Sequence, residues 1–363
     1  MITREWPLLP VYGTAAIFTA FEQQMLGGIG NSLWATFLLA WLFAVMLAAA
    51  FAVVRHSDCL AEIFGEPYGT LILTLAITVI EVLMIAALML NGPAVSTLAR
   101  DTMFAVVMIV FNGMAGVSLL VGGLRYHEQT YNLQGANSFL AVIVPLAVLG
   151  LVMPGFTSSP GGTFSTLHEF FLMFMSIALY GVFLAIQTLR HRHYFLGDEK
   201  APEEKRDVAT LDLRPAAYHG ALLLAYIVPI VLLSKKIAVP IDYGLSVLGA
   251  PAALAGFLVA ALILAPESLS AVRAALANQL QRSINLLLGS VLASISLTIP
   301  AVLAIGMLAD RTVVLGLDAV DMVLLLLTLG ISTLTYASGR TNILLGAVHL
   351  LLFCAYVVLI FDR

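Results

Sequence analysis

Charge is what this chain has least of. Asp, Glu, Lys and Arg make up 10% of its 363 residues, against about 25% in an ordinary soluble domain, which excludes a water-soluble globular fold. Cysteine is nearly absent: Cys59 lies in a polar stretch read as a loop and Cys354 in an apolar run, so no disulfide framework is expected. No G-x-x-x-x-G-K-[ST] phosphate loop occurs, so nothing suggests ATP drive. No paired acid or nucleophile motif marks an intramembrane enzyme. The one close histidine pair, His191 and His193, is followed by no further ligands at metal-site spacing and reads as part of a solvated linker. The net charge of −4 says little where most of the surface faces lipid, and no nucleic-acid partner is expected.

What fills the chain instead is apolar sequence, 61% of all residues with a mean hydropathy of +1.02. It comes in uninterrupted runs near the roughly 20 residues that a helix needs to cross a bilayer. In lipid every backbone amide needs a partner inside its own segment or barrel, and long runs rather than alternating ten-residue segments mean helices. The runs predict an all-α polytopic membrane protein with about eleven transmembrane helices, at 9–26, 31–54, 69–90, 102–124, 136–154, 167–189, 217–239, 250–275, 284–308, 319–337 and 342–361. The first apolar stretch is followed by a second with no small-residue cleavage site between them, so it is read as a span and not as a signal peptide.

One long polar stretch interrupts this pattern, RHRHYFLGDEKAPEEKRDVATLDLR from Arg190 to Arg214, with room for a short amphipathic helix. It divides the chain into an N-terminal helix (1–30), a first unit of five spans (31–189), the linker (190–216) and a second unit of five spans (217–363). Counting Lys and Arg with the N-terminus inside places twelve on the linker side and five on the other. The excess predicts a cytoplasmic N-terminus and linker and an external C-terminus. Because five is odd, two related five-span units would lie in opposite orientations, as inverted repeats do in secondary transporters with a site at the midplane. Some local sequence fits: each unit carries an acid in its second span, Glu81 or Glu267, followed by Arg100 or Arg282 at the start of the next. Those next spans hold Asn112, Gly113 and Gly116 in one unit and Gly289, Ser290, Ser294 and Ser296 in the other.

A carboxylate in the bilayer core costs several kcal/mol and calls for a reason. Glu22, Glu169, Asp321, Lys235, Lys236 and Arg273 lie near span ends, where water is within reach. His349 lies mid-span and reads as a neutral histidine bonded to a backbone carbonyl. Glu81 is different, standing in the middle of 69–90. Glu267 allows two readings: an interfacial acid if its span ends at Leu264, or an acid beside a helix break if the span runs on through Pro266. Broken helices at membrane depth survive where they line protein or a cavity, and their freed carbonyls suit cations.

Two such acids suit cation–proton exchange. Calcium takes six to eight oxygens at roughly 2.3–2.6 Å, favouring carboxylates and carbonyls; carbonyls near Pro266 and hydroxyls such as Thr78 or Ser290 are candidate further ligands. A carboxyl group taken out of water tends to keep its proton, the more so beside a second acid, and a bound cation expels it. One pair of oxygens that holds either a cation or protons is already an exchange rule. A single glutamate would serve a monovalent ion with one proton equally well.

At these residues the sequence resembles the bacterial ChaA-type calcium/proton antiporters of the cation/calcium exchanger superfamily. The likeness is carried by GEPYGTLIL at 65–73 leading to VIEV at 79–82, by the stretch from Arg100 and Asp101 to Gly122 and Gly123, by APESLSA at 265–271, by Asn278 and Gln279 through Arg282 to Gly289–Leu292, and by SGRTN at 338–342. The resemblance implies one extra N-terminal helix plus two inverted five-helix repeats, with the family's paired glutamates at Glu81 and Glu267 as the cation- and proton-binding groups. Thr78, Pro266, Asn112, Ser290 and Ser294 are then auxiliary site residues. It further implies a bacterial inner-membrane antiporter exporting Ca2+ for H+, or on the same fold Na+ or K+, with no cofactor beyond the transported ions and room for homo-oligomers; a cation channel is the remaining reading. The wider superfamily often has Gly-Asn a few residues before each glutamate. Here Ile77-Thr78 and Ile263-Leu264 stand there, leaving fewer side-chain ligands.

Overall fold

The computed structural model describes residues 5–65, 68–91, 97–157, 159–196, 215–247 and 249–362. Residues 197–214, the bulk of the polar linker with its candidate amphipathic helix, lie outside the described residues. Among those described, the chain is helical apart from one antiparallel two-residue ladder, β1 (Gln129–Thr130) with β2 (Arg340–Thr341). The helices are α1 (Leu8–Ala20), α2 (Glu22–Gly27), α3 (Ser32–Phe64), α4 (Tyr68–Asn91), α5 (Leu98–Tyr126), α6 (Leu133–Phe156), α7 (Thr166–Arg190), α8 (Ala216–Val247), α9 (Ala253–Leu276), α10 (Leu280–Leu308), α11 (Ala319–Thr335) and α12 (Ile343–Phe361). Eight are long and apolar enough to cross a membrane, and shorter apolar helices lie at Leu8–Ala20, Thr74–Leu90 and Ala319–Thr335.

Several helix starts are written in the sequence. Asn132, Asp318 and Asn342 stand at the N-caps of α6, α11 and α12, and each side chain accepts from backbone amides of the first turn, satisfying donors that a helix start leaves unpaired. Other boundaries differ from expectation. The predicted first span breaks at Phe21 into α1 and α2. Helix α3 continues ten residues past the predicted end at 54, so Cys59 is a buried helical residue and not a loop residue. The polar turns of that extension are covered: Arg55 pairs with Glu5 of the N-terminal arm at 2.6 Å, and His56 meets His219 of α8 at 3.0 Å. Helix α8 likewise runs to Val247 through Pro229 and Pro240, placing Lys235 and Lys236 on a helix, with Lys236 paired to Glu22 at 2.5 Å. Asp321, expected near water, is buried in the first turn of α11, at the end of a helix that favours negative charge.

The linker ends, the N-terminal arm and the loops after α5, α9 and α11 share one face, joined by bonds such as Tyr126 to the Leu276 carbonyl (2.8 Å) and Asn285 to the Phe195 carbonyl (2.6 Å). The opposite face gathers Arg100 against the Gly316 carbonyl (3.1 Å) and Tyr243 against the Gly30 carbonyl (3.2 Å). Between them α3 lies along α8, α4 packs on α10 and α9 packs on α5. Helix α12 crosses α5 at a backbone-to-backbone contact: a Cβ at Gly346 would stand 2.5 Å from the Leu120 nitrogen and 2.9 Å from the Gly116 carbonyl oxygen. Without a hydrophobic force between helices in lipid, small residues that let backbones touch supply the packing. Both α5 and α10 carry a π-helical turn at mid-length, Ile109–Met114 and Ser294–Thr298, with similar turns late in α6 and α7.

Candidate cation and proton site

Helix α4 is an unbroken apolar helix with one acid, Glu81, near its middle; α9 carries Glu267 at a similar place and runs the opposite way. Both side chains are 0% exposed. They meet on α10, whose hydroxyls recur one turn apart, at Ser290, Ser294 and Thr298, and so line one side of the helix. Ser290 donates to Glu267 Oε2 at 2.7 Å, Ser294 to Glu81 Oε2 at 2.5 Å and Thr298 to Glu81 Oε1 at 3.2 Å. Ser290 and Ser294 are one turn apart, about 6 Å along the axis, so the two carboxyl groups are held by adjacent turns of α10.

The two acids are held differently. Both oxygens of Glu81 accept a hydroxyl bond, whereas Glu267 Oε1 is buried with no hydrogen-bond partner among the described residues. A buried acceptor left unpaired costs about 1–3 kcal/mol, and a cation on that oxygen removes the cost, whereas a proton removes the buried charge. No lysine, arginine or histidine among the described residues forms an ion pair with either glutamate, and no third acid, histidine or cysteine joins them in a metal-binding cluster. Two acids so placed cannot both be charged without a positive partner.

The other expected contributors lie elsewhere or act differently. Pro266 does not break α9, which is helical throughout Ala253–Leu276. Proline removes the donor for the carbonyl four residues back, here that of Leu262, and the hydroxyls of Ser268 and Ser270 go to other carbonyls, those of Leu264 and Pro266, at 2.8 and 3.3 Å. The helix is supported across the proline by α5, which packs along its length. Thr78 is buried but donates to the Thr74 carbonyl at 2.9 Å and to neither glutamate. Asn112, on the π turn of α5, faces a separate buried cluster: its amide nitrogen donates to Thr328 at 2.8 Å and its oxygen meets His349 Nδ1 at 3.0 Å, while His349 Nε2 meets Thr335 at 3.0 Å. The histidine thus has two side-chain partners where a backbone carbonyl was expected. Thr298 was missed by the sequence reading, although its spacing four residues after Ser294 continues the hydroxyl row.

The chain matches the family described as "Sodium/calcium exchanger protein" over residues 34–189 and again over 219–361. It is 41% identical over 322 residues, 87% of this chain and 86% of the other, to the sodium-potassium/proton antiporter ChaA of Escherichia coli. Two solved structures share the fold: native YfkE, with a TM-score of 0.71, 17% identity and coverage of 93% of this chain and 98% of that one, and the H+/Ca2+ exchanger CAX, with 0.70, 14%, 98% and 88%.

Proposed function

Because the chain belongs to the sodium/calcium exchanger protein family, we propose that it is a secondary cation/proton antiporter whose exchange takes place at Glu81 and Glu267. The observation that carries this reading is the pair of wholly buried carboxyl groups meeting one row of hydroxyls on α10, with no ion pair to a positive side chain among the described residues. Protons neutralise the pair in one half-cycle and a cation does so in the other; since the two compete for the same oxygens, loading one releases the other. Access then alternates between the faces.

Two opposed five-helix units, 31–189 and 217–363, after an N-terminal helix are the architecture we infer. It is supported by the opposite directions of α4 and α9, by the reciprocal packing of α4 on α10 and α9 on α5, and by a family match to each half separately. The excess of Lys and Arg favours a cytoplasmic linker in a bacterial inner membrane. Calcium export is the first reading of the cargo. Sodium or potassium is the second, favoured by the small ligand set of two carboxyls and three hydroxyls and by the unbroken helix at Pro266.

The test is a proteoliposome assay with an imposed pH gradient, following calcium, sodium and potassium in separate experiments. At least one cation is expected to accumulate against its own gradient, with matching proton movement; a flux that dissipates its gradient and moves no protons would mean a channel. Removing the hydroxyls from Glu81 with Ser294→Ala or Thr298→Val should slow exchange by about tenfold for each, the value of a charge-assisted bond. It should also displace the pH dependence of the rate. A Ser294→Ala protein with an unaltered pH profile would mean that the hydroxyl does not position the carboxyl group.

A further inference from the structure

A second group of buried titratable side chains lies at the linker face, where the extension of α3 meets the first turns of α8 and the N-terminal arm. His56 of α3 and His219 of α8 are 2% and 1% exposed, and their Nδ1 atoms stand 3.0 Å apart. His56 Nε2 lies 3.3 Å from Glu5 Oε2, and that oxygen accepts from Arg55 Nη2 at 2.6 Å and from the Tyr226 hydroxyl at 3.0 Å. Tyr226 stacks on the His56 ring at 5.8 Å between centroids, and Tyr218 stands edge-on to His56 and His219, at 6.4 and 5.3 Å. Further along α3, Asp58 faces Arg282 of α10 at 3.8 Å. The histidine pair is enclosed but its rim is wet: the Arg55 side chain is 40% exposed and that of Glu5 13%.

This arrangement limits how many protons the pair can hold. Two ring nitrogens 3.0 Å apart form a hydrogen bond, so one ring presents N–H and the other a lone pair. With both rings neutral, the Glu5 carboxylate draws the hydrogen of His56 to Nε2, and His219 donates from Nδ1. One added proton fits in place. His56 then donates from both nitrogens, to Glu5 and to His219, whose own hydrogen moves to Nε2. A second does not fit, because two imidazolium rings would set N–H against N–H. Arg55 Nη2 adds a positive charge 3.3 Å from His56 Nε2. The cluster also spans separate parts of the chain. Helix α3 lies in the first matched segment, 34–189, and His219 opens the second, 219–361, while Arg55 and Tyr226 grip Glu5 of the arm from the two helices.

We propose that His56, His219 and Glu5 form a proton-sensitive clasp between the two halves at the linker face, closed while the histidines hold at most one added proton and open when both are charged. Opening parts the first turns of α8 from the end of α3 and releases the arm from the seam. The clasp is separate from the glutamate pair and stands on its own contacts, whichever ion is moved. On the exchanger reading, protons carried to this face would loosen the seam as they accumulate.

The test reads the seam through the thiol of Cys59, buried on α3 about one turn beyond His56. Purified Cys354→Ala protein in detergent is treated with a small water-soluble thiol reagent from about pH 8 to about pH 5. Each rate is divided by that of glutathione in the same buffer, which removes the pH dependence of the thiol itself. Above about pH 7 labelling should be slow and flat. Below about pH 6.5, the ordinary histidine value, the relative rate should climb by up to about tenfold per pH unit, because the open form binds one proton more than the closed form. In His219→Gln only one histidine can be charged, and the amide oxygen still accepts from a charged His56, so the climb should vanish. His56→Gln should lose it as well. Circular dichroism at each pH separates a local opening from unfolding. Labelling that stays slow down to about pH 5, labelling that climbs only as helix is lost, or a folded variant that climbs as the parent does would each overturn the clasp. If neither variant folds, the climb must survive replacement of His127, His168, His191 and His193 by glutamine, and its loss there overturns the clasp too.

Discussion

Glu267→Gln and Glu81→Gln proteins, folded and reconstituted, are each expected to lose pH-driven cation uptake down to the level of empty vesicles. Glutamine has nearly the same volume and still bonds to the hydroxyls of Ser290, Ser294 and Thr298 that hold the native side chains, so the helices should pack as before. It cannot take up and release a proton, and it offers a cation one neutral oxygen where two acidic ones stood. Aspartate keeps the charge but draws it back by about 1.5 Å, one carbon–carbon bond, and should weaken exchange without abolishing it. Glu169→Gln is the matched control: that side chain is half-buried in the first turn of α7, at the helix end and not in the middle of a span, and most activity should remain. Vesicle uptake with folding checked by gel filtration and circular dichroism decides the matter. Substantial uptake by a folded Glu81→Gln protein would sink the shared site. The same result for Glu267→Gln alone would leave a one-glutamate exchanger, better matched to a monovalent ion.

The second large effect is on assembly of the bundle. Gly346→Leu is expected to prevent α12 from seating on α5, because even a Cβ there meets the Leu120 nitrogen at 2.5 Å and three further carbons have nowhere to go. Overpacking a core costs about 1–3 kcal/mol when side chains can yield; here the obstacle is backbone, and the two helices must part. That separation would also open the buried contact between Asn112 and His349, which joins the same two helices. The expected result is aggregated protein, or a monodisperse fraction melting well below the parent in the same detergent. A Gly346→Leu protein with the parental melting temperature would mean that the α5–α12 crossing is looser than drawn.

The parts of this structure that could be read from sequence are those set by solvent. Lipid demands unbroken runs of apolar residues, so the helices announced themselves, and an acid in such a run stood out at Glu81 without any partner being known. Helix ends beyond the runs were harder: α3 continues to Phe64 because Glu5, fifty residues earlier, covers Arg55, and no local pattern carries that fact. Pro266 misled for a similar reason. Proline predicts a break, but packing on α5 holds the helix across it. Asn112 and Ser294 have equal claims in a one-dimensional reading, each a polar residue on the span that follows an acidic one. Only tertiary contact separates the residue that turns to His349 from the residue that turns to Glu81.

Full enclosure of the two acids fixes the terms on which an ion is received. Oxygens at 0% exposure cannot be reached by an ion wearing its shell of water, so each cation is weighed by what it gives up on dehydration against what a few fixed oxygens return. Mg2+ sheds water reluctantly and asks for near-octahedral ligands at roughly 2.0–2.1 Å, which two carboxyls and a row of hydroxyls along one helix do not offer. Larger ions with looser shells give up less and accept irregular coordination. The enclosed pair therefore ranks ions of equal charge by their hold on water, and it does so before any difference in affinity between the two faces comes into play.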